Sequence, residues 1–228
     1  LIPQFSLIKD ATKVLGLPIL ELEGYEADDL IATFCKNAKL EKKNVVIVSS
    51  DKDLMQLVDD QTVMLDPMKH IWIDDQKVLE KFGVKPEQVI DVQSLAGDPS
   101  DNVPGIPGIG LKIAAELINE YGTLQNLLSR TSEIKQNKRR ENLQLFQEKA
   151  LISKKLVTLK KDVPINKNIS DINFDMNFSS SELINFLKLH DFKKLTERLE
   201  NFMKVEKSNV SNEKKHNYNF DFKNRKKN

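Results

Sequence analysis

Apolar residues recur at helical spacing over residues 5–15 (FSLIKDATKVL), and Gly16 with Pro18 ends the pattern, so a helix is predicted there. Residues 18–22 (PILEL) read as a short buried strand, and Gly24 turns the chain. Over 26–40 (EADDLIATFCKNAKL), Leu30, Ile31, Phe34 and Ala38 line one side of an amphipathic helix. Residues 44–49 (NVVIVS) form a continuous β-branched run, the pattern of a strand covered on both faces. Strand, helix and strand in that order predict a β-α-β unit, with two adjacent parallel strands and a right-handed crossover. Residues 62–66 and 70–73 are β-like and suit a small meander, and Pro86 opens a helix to about Ala96.

Near residue 98 the pattern changes to helices separated by Gly/Pro turns. Helices are predicted over 110–120, 123–129, 139–153, 180–189 and 193–203, with a short strand at 155–159 (KLVTL). After Met203 the chain is rich in Lys and Asn with no periodicity, the composition of a disordered segment. The expected organisation is therefore an α/β part over 1–97, a helical part over 98–203 and a disordered tail over 204–228.

Composition narrows the classes. The 228 residues are 39% hydrophobic and 30% charged, enough for one large or two small globular domains. No run approaches the ~20 apolar residues of a membrane helix. The one cysteine, Cys35, excludes an internal disulfide and suits a reducing compartment. With His70, His190 and His216 scattered, a Cys/His zinc site is disfavoured. Charge is segregated: residues 1–129 hold 12 Lys+Arg against 21 Asp+Glu, whereas residues 130–161 hold 10 against 3. An acidic front followed by a basic segment suits a metal site beside a phosphate-binding surface, although exposed helices also carry such charge.

The acids form three clusters. Glu26, Asp28 and Asp29 start the first long helix after the 18–22 segment; Asp51 and Asp53 follow the 44–49 run; Asp98 and Asp101 follow the 86–96 helix. The carboxyl ends of adjacent parallel strands are where open α/β sheets hold ligands. In an extended segment Asp51 and Asp53 point the same way. Each cluster also has an ordinary account, as helix-dipole acids, caps or turn residues. Jointly, seven carboxylates on one sheet edge repel by about 1–4 kcal/mol per close pair and call for cations. An all-oxygen set selects hard ions, so Mg²⁺ or Mn²⁺ is expected, with two ions able to clamp a phosphodiester.

Beside the acids lies V-P-G-I-P-G-I-G-L-K-I-A-A-E (103–116). Gly105, Gly108, Ile109, Gly110 and Lys112 suit a helix-hairpin-helix, whose free N–H groups hold DNA phosphate without reading sequence. Leu111 separates Gly110 from Lys112, which disfavours a Walker A loop. Lys138, Arg139, Arg140, Lys149, Lys154 and Lys155 are candidates to line a duplex. Lys52 suits either a phosphate contact or solvent, and Tyr25 either base stacking or core packing. No side chain stands out as a general base.

Three stretches, GYEADDLIA (24–32), SSDKDLMQL (49–57) and LAGDPSDNVPGIPGIGLKIA (95–114), closely resemble the 5′→3′ exonuclease domain of bacterial DNA polymerase I, in the flap endonuclease superfamily. The resemblance runs in order from about residue 1 to about residue 200. It implies a PIN-like α/β fold, with a parallel sheet, helices on both faces and a helix-hairpin-helix region. It implies metal-dependent cleavage of 5′ flaps, nicked ends and RNA primers in replication and repair, by a monomer in the bacterial cytoplasm at the nucleoid. Glu26, Asp28 and Asp29 resemble first-site or shared metal ligands, and Asp51, Asp53, Asp98 and Asp101 second-site ligands. Gly105–Lys112 resembles the hairpin that can carry K⁺. Ile113 stands where the family usually has Thr. The family also begins with a segment absent here, holding further metal ligands and basic arch residues, so a truncated chain with weak or no nuclease activity is expected. A DNA-binding module that does not cut and a Mg²⁺ phosphohydrolase of small molecules are the competing readings.

Overall fold

The computed structural model describes residues 4–172 and 180–209. The chain divides into two compact units, Gly24–Pro164 and a second built from Leu1–Glu23 with Ile165–Asn228. This division cuts across the boundary expected at residue 97, because the helix before that point and the loop after it belong to one unit.

In the first unit, α2 (Ala27–Leu40) precedes a sheet of β1 (Val45–Val48), β2 (Thr62–Asp66) and β3 (Ile71–Ile73), in that order. Strands β1 and β2 are parallel, with Val45 opposite Thr62, and β2 and β3 are antiparallel, with Leu65 opposite Trp72. Six helices follow: α3 (Asp75–Phe82), α4 (Val89–Ala96), α5 (Leu111–Tyr121), α6 (Leu124–Ser129), α7 (Asn137–Leu145) and α8 (Gln147–Val157). Asp74 caps α3 by accepting from Lys77 N at 3.0 Å, and Gly83 ends it in the left-handed conformation. Thr123 caps α6 in the same way.

The core centres on α4, which packs against α5 and α8. Val89, Val92 and Leu95 are fully buried there, with Leu117, Ile118, Leu124, Leu127, Leu143 and Ala150 around them. Each large side chain so buried contributes about 1.5–3 kcal/mol. Asp91 ties this core together through Leu124 N at 3.0 Å and Lys154 Nζ at 2.7 Å.

Several sequence expectations are corrected. Residues 18–22 form no strand, so the β-α-β unit is absent and the parallel neighbour of β1 is β2. Pro18 lacks a donor, and no ladder partner lies beside this segment among the described residues. Strand β1 is covered on one face only: Ile47 is buried while Val48 is 61% exposed. Helix α2 buries Leu30, Ala32, Thr33, Cys35 and Ala38, an inner face rotated from the one expected. The long helix over 139–153 is two helices, α7 and α8, meeting at Phe146. Residues 155–159 are not a strand. Helix α8 runs to Val157, and the Gln56 amide then takes Val157 O at 2.9 Å and Leu159 N at 3.2 Å, the groups a strand would need.

In the second unit, α1 (Gln4–Val14) and α10 (Lys193–Asn209) pack on α9 (Ser180–Leu189), which buries Leu183 and Leu187. Lys188 pairs with Glu200 at 2.9 Å. Helix α10 continues past Met203 to Asn209, and the rest of the segment expected to be disordered lies outside the described residues. No described helix is long and apolar enough to cross a membrane.

Candidate metal centre

Helix α4 ends at Gly97, with φ 72°, and the chain at once folds back on itself. Asp98 N donates to Val103 O at 2.9 Å and Val103 N to Asp98 O at 2.8 Å, closing a loop with Asp101 near its tip. The crossing is closed by two glycines. A Cβ added at Gly105, where φ is 58°, would meet Gly97 N at 2.4 Å; one added at Gly97 would meet Val103 O at 2.7 Å. Gly105 N is held by Ser153 Oγ of α8 at 3.0 Å. The loop is therefore anchored on both sides.

The Asp53 carboxylate comes from the other direction. After β1 the chain makes two Asx-type contacts: Ser49 Oγ accepts from Asp51 N at 3.0 Å, and Asp51 Oδ1 accepts from Asp53 N at 2.9 Å. Asp53 then begins a 3-10 turn to Leu57. The segment is thus not extended, and the expected parallel projection of Asp51 and Asp53 does not hold. Gln93 on α4 donates to Asp53 Oδ1 at 2.5 Å.

Carboxylate oxygens of Asp53, Asp98 and Asp101 lie within 4.8 Å of one another. Asp98 is buried, its Oδ1 accepting from Ser100 N at 3.0 Å. Its Oδ2 is ion-paired with Lys52 Nζ, which holds this second oxygen. Burial works to raise the Asp98 carboxyl, but the Lys52 contact and the Ser100 amide outweigh it and hold it below the ordinary range. Burial raises Asp53, helped by Asp51 and Asp101 and opposed by the Gln93 hydrogen bond.

The first cluster stands differently. Glu26 is at the start of α2, makes no side-chain cap and is exposed. Asp29 Oδ1 accepts from Lys160 N at 2.8 Å, so part of its capacity is used by backbone. Asp28 is raised to about 6, first by burial and then by the charges of Asp51, Asp53, Glu26 and Asp29. The structure thus gathers Asp53, Asp98 and Asp101 into one group, with Asp28 and Asp51 in electrostatic range. Among the described residues it draws neither Glu26 nor Asp29 into that group.

This all-oxygen, negatively charged set fits a hard divalent cation.

Beyond the loop, Ile106 N donates to Leu95 O at 2.8 Å and Asn142 Nδ2 to Pro107 O at 2.8 Å, fixing the hairpin on α4 and α7. Ile109 is buried, Gly108 has φ 78°, and Gly110 opens α5 with no side-chain cap and open space around it. Lys112 is exposed in the first turn. Of the basic candidates, Lys154 is committed to Asp91, Arg140 to Ile134 O and Asn137, and Lys149 to the Phe146 ring, leaving Lys138 and Lys155 exposed and Arg139 half-buried. Tyr25 carries the Lys160 ammonium over its ring at 5.1 Å. His70 lies in the β2–β3 turn at φ 54° rather than in a strand.

Sequence reasoning missed Gln93, Ser153 and the role of Lys52. Gln93 and Ser153 are polar residues buried within α4 and α8, among positions that otherwise carry much of the apolar core, and a buried polar group calls for a partner.

Two family models cover most of the chain: the 5′-3′ exonuclease N-terminal resolvase-like domain matches residues 1–83, and the 5′-3′ exonuclease C-terminal SAM fold matches residues 84–179. DNA polymerase I of Rhizobium leguminosarum is 49% identical over 87% of this chain, which spans 20% of that protein. A 5′-3′ exonuclease of Aquifex aeolicus is 38% identical over 74% of the chain and 57% of its own length. Among solved structures, T5 5′-exonuclease with bound zinc superposes with a TM-score of 0.62 at 26% identity, over 67% of this chain and 58% of the other. A T5 flap endonuclease variant, in a pseudo-enzyme-product complex with DNA and metal ions, superposes at 0.60 with 20% identity, over 88% of this chain and 65% of the other. The acidic loops and the glycine hairpin thus sit where two consecutive models of a single nuclease family run through the sequence, and the chain belongs to the 5′-3′ exonuclease family.

Proposed function

We propose that the chain is the carboxylate-bearing and DNA-holding part of a divalent-metal-dependent 5′→3′ exonuclease and 5′-flap endonuclease. Its substrates on this reading are 5′ flaps, nicked duplex ends and RNA primers, as arise in replication and repair, and it acts as a monomer. The observation that carries the reading is the group of Asp53, Asp98 and Asp101 within 4.8 Å, on two loops anchored to α4.

Asp53, Asp98 and Asp101 would hold one Mg²⁺ or Mn²⁺ ion, and Asp28 and Asp51, with Glu26 and Asp29 beside them, would serve the second. When bound, such ions neutralise the charge that develops on the phosphoryl oxygens. The protein's own part is to hold and orient. Gln93 fixes the Asp53 carboxylate, and the Ser100 amide fixes that of Asp98. The hairpin Gly105, Gly108, Ile109, Gly110 presents the uncapped start of α5 to a duplex phosphate, with the Lys112 charge beside it. A K⁺ ion at this hairpin is part of the same reading. Lys138 and Lys155 extend the contact by phosphate neutralisation, so residues 98–203 act as the DNA-holding region.

The test uses a 5′-labelled flap duplex with Mg²⁺ or with EDTA, reading binding and cleavage together. Weak cleavage with Mg²⁺, lost in EDTA, in Asp98→Asn and in Asp51→Ala, is the expected result. Salt-sensitive binding with no cleavage at any Mg²⁺ concentration would leave a DNA-binding module and overturn the nuclease reading for this chain.

A further inference from the structure

Lys52 lies between two candidate ligands, Asp51 and Asp53, yet its ammonium reaches across to a third, Asp98 Oδ2, on the loop after α4. Three features of this contact matter. The Asp98 side chain is 4% exposed while that of Lys52 is 35% exposed, so only the lysine has a way out to water. Asp98 is gripped at one oxygen, Oδ1, by the Ser100 amide, and its other oxygen meets the Lys52 ammonium. Finally, an ammonium on a four-carbon stem is a mobile point charge with no fork to lock it in place.

We propose that Lys52 is the built-in counter-cation of the Asp53–Asp98–Asp101 group: it neutralises Asp98 while no metal is bound, and it withdraws when a divalent ion takes its place. The inference rests on the proposed metal site and goes beyond it, because it makes Lys52 the residue that sets how tightly that site binds. Three like charges within 4.8 Å need a cation at all times, and Lys52 supplies it before metal arrives. The withdrawn state is then the binding-competent one. The apparent metal affinity is reduced by the fraction of time Lys52 is withdrawn. Asp98 stays fixed throughout by its Oδ1 contact, so exchange of one cation for the other needs no movement of the loop.

The experiment is a Mn²⁺ titration of the 228-residue chain, with free Mn²⁺ read by electron paramagnetic resonance, on the wild type, Lys52→Met, Lys52→Arg and Asp98→Asn. Thermal melting is followed in EDTA and in saturating Mn²⁺. The Met variant keeps the stem and removes the charge. It should bind Mn²⁺ about tenfold tighter, which corresponds to about 1.4 kcal/mol, and melt lower than wild type in EDTA but level with it in Mn²⁺. Lys52→Arg keeps the charge and should show no such tightening. Unchanged or weaker Mn²⁺ binding in Lys52→Met, with Asp98→Asn abolishing the wild-type site, overturns this inference and leaves the metal site standing. A wild type that binds no Mn²⁺ overturns both. Should Lys52→Met fail to fold, Lys52→Gln carries the same expectation.

Discussion

The two groups of carboxylates differ in how they are held. Asp53, Asp98 and Asp101 stand on loops closed by backbone hydrogen bonds, with Gln93, Ser100 and Lys52 fixing individual oxygens. Glu26, Asp28 and Asp29 stand on the first turn of α2, where only Asp29 is held, by Lys160 N. Asp28, partly buried and then crowded by neighbours of its own sign, titrates near 6, while Asp98 sits below the ordinary carboxylate range. A loop folded onto its own backbone can hold acids together against their repulsion and can bring a lysine to them. A helix start supplies a favourable dipole but nothing that fixes the side chains relative to one another.

The comparison breaks most directly at Gly105. Gly105→Ala drives a Cβ into Gly97 N at a position where φ is 58°. A loss of about 3 kcal/mol or more is expected in denaturant melts. An unchanged midpoint would mean that the glycine crossing does not hold the second group. Asp98→Ala comes next. It removes the buried partner of Lys52, and because that lysine reaches water the expected loss is about 1–2 kcal/mol in EDTA.

Asp28 sharpens the contrast through pH. Its folded carboxyl titrates near 6 against an ordinary 3.8, so the folded chain holds this proton more tightly than the unfolded chain does. That contribution to stability is complete below pH 3.8 and is lost as pH rises through 6. Asp28→Asn should therefore stabilise the metal-free chain by about 1 kcal/mol above pH 7, allowing for solvent screening, and leave it unchanged below pH 4. Carbon-13 NMR of Asp28 should show its titration moving down when Mg²⁺ is added. The smallest effect belongs to Gln93→Leu, which removes the Asp53 hydrogen bond and also a buried amide oxygen lacking a partner. Stability should change by less than about 1 kcal/mol, while Asp53 should titrate higher than in the wild type.

The chemistry was more legible than the architecture around it. The three acids the structure brings together, Asp53, Asp98 and Asp101, and the glycine hairpin could be read locally, because acids after element ends and glycines at tight turns leave marks in the sequence; that Glu26 and Asp29 stand outside that group could not. Residues 18–22 could not, since PILEL has strand composition and only the absence of a ladder partner decides against it. The same holds for KLVTL at 155–159, where one distant side chain, Gln56, takes the hydrogen bonds a strand would use. Lys52 was visible as a residue but not as a partner of Asp98, 46 positions away, because long-range contacts such as Gln93 with Asp53 and Ser153 with Gly105 bring the two loops together.

The abutment of Gly97 and Gly105 sets the spacing between chemistry and grip. The six-residue loop 98–103 bearing Asp98 and Asp101 lies inside it, and the hairpin through Gly110 leaves from it. Because the crossing leaves no room for even a methyl group, a side chain at either glycine would push the acid-bearing loop and the hairpin apart. Under the proposed function, that one backbone contact sets how far the metal-holding loop stands from the hairpin start, a spacing built from main chain alone.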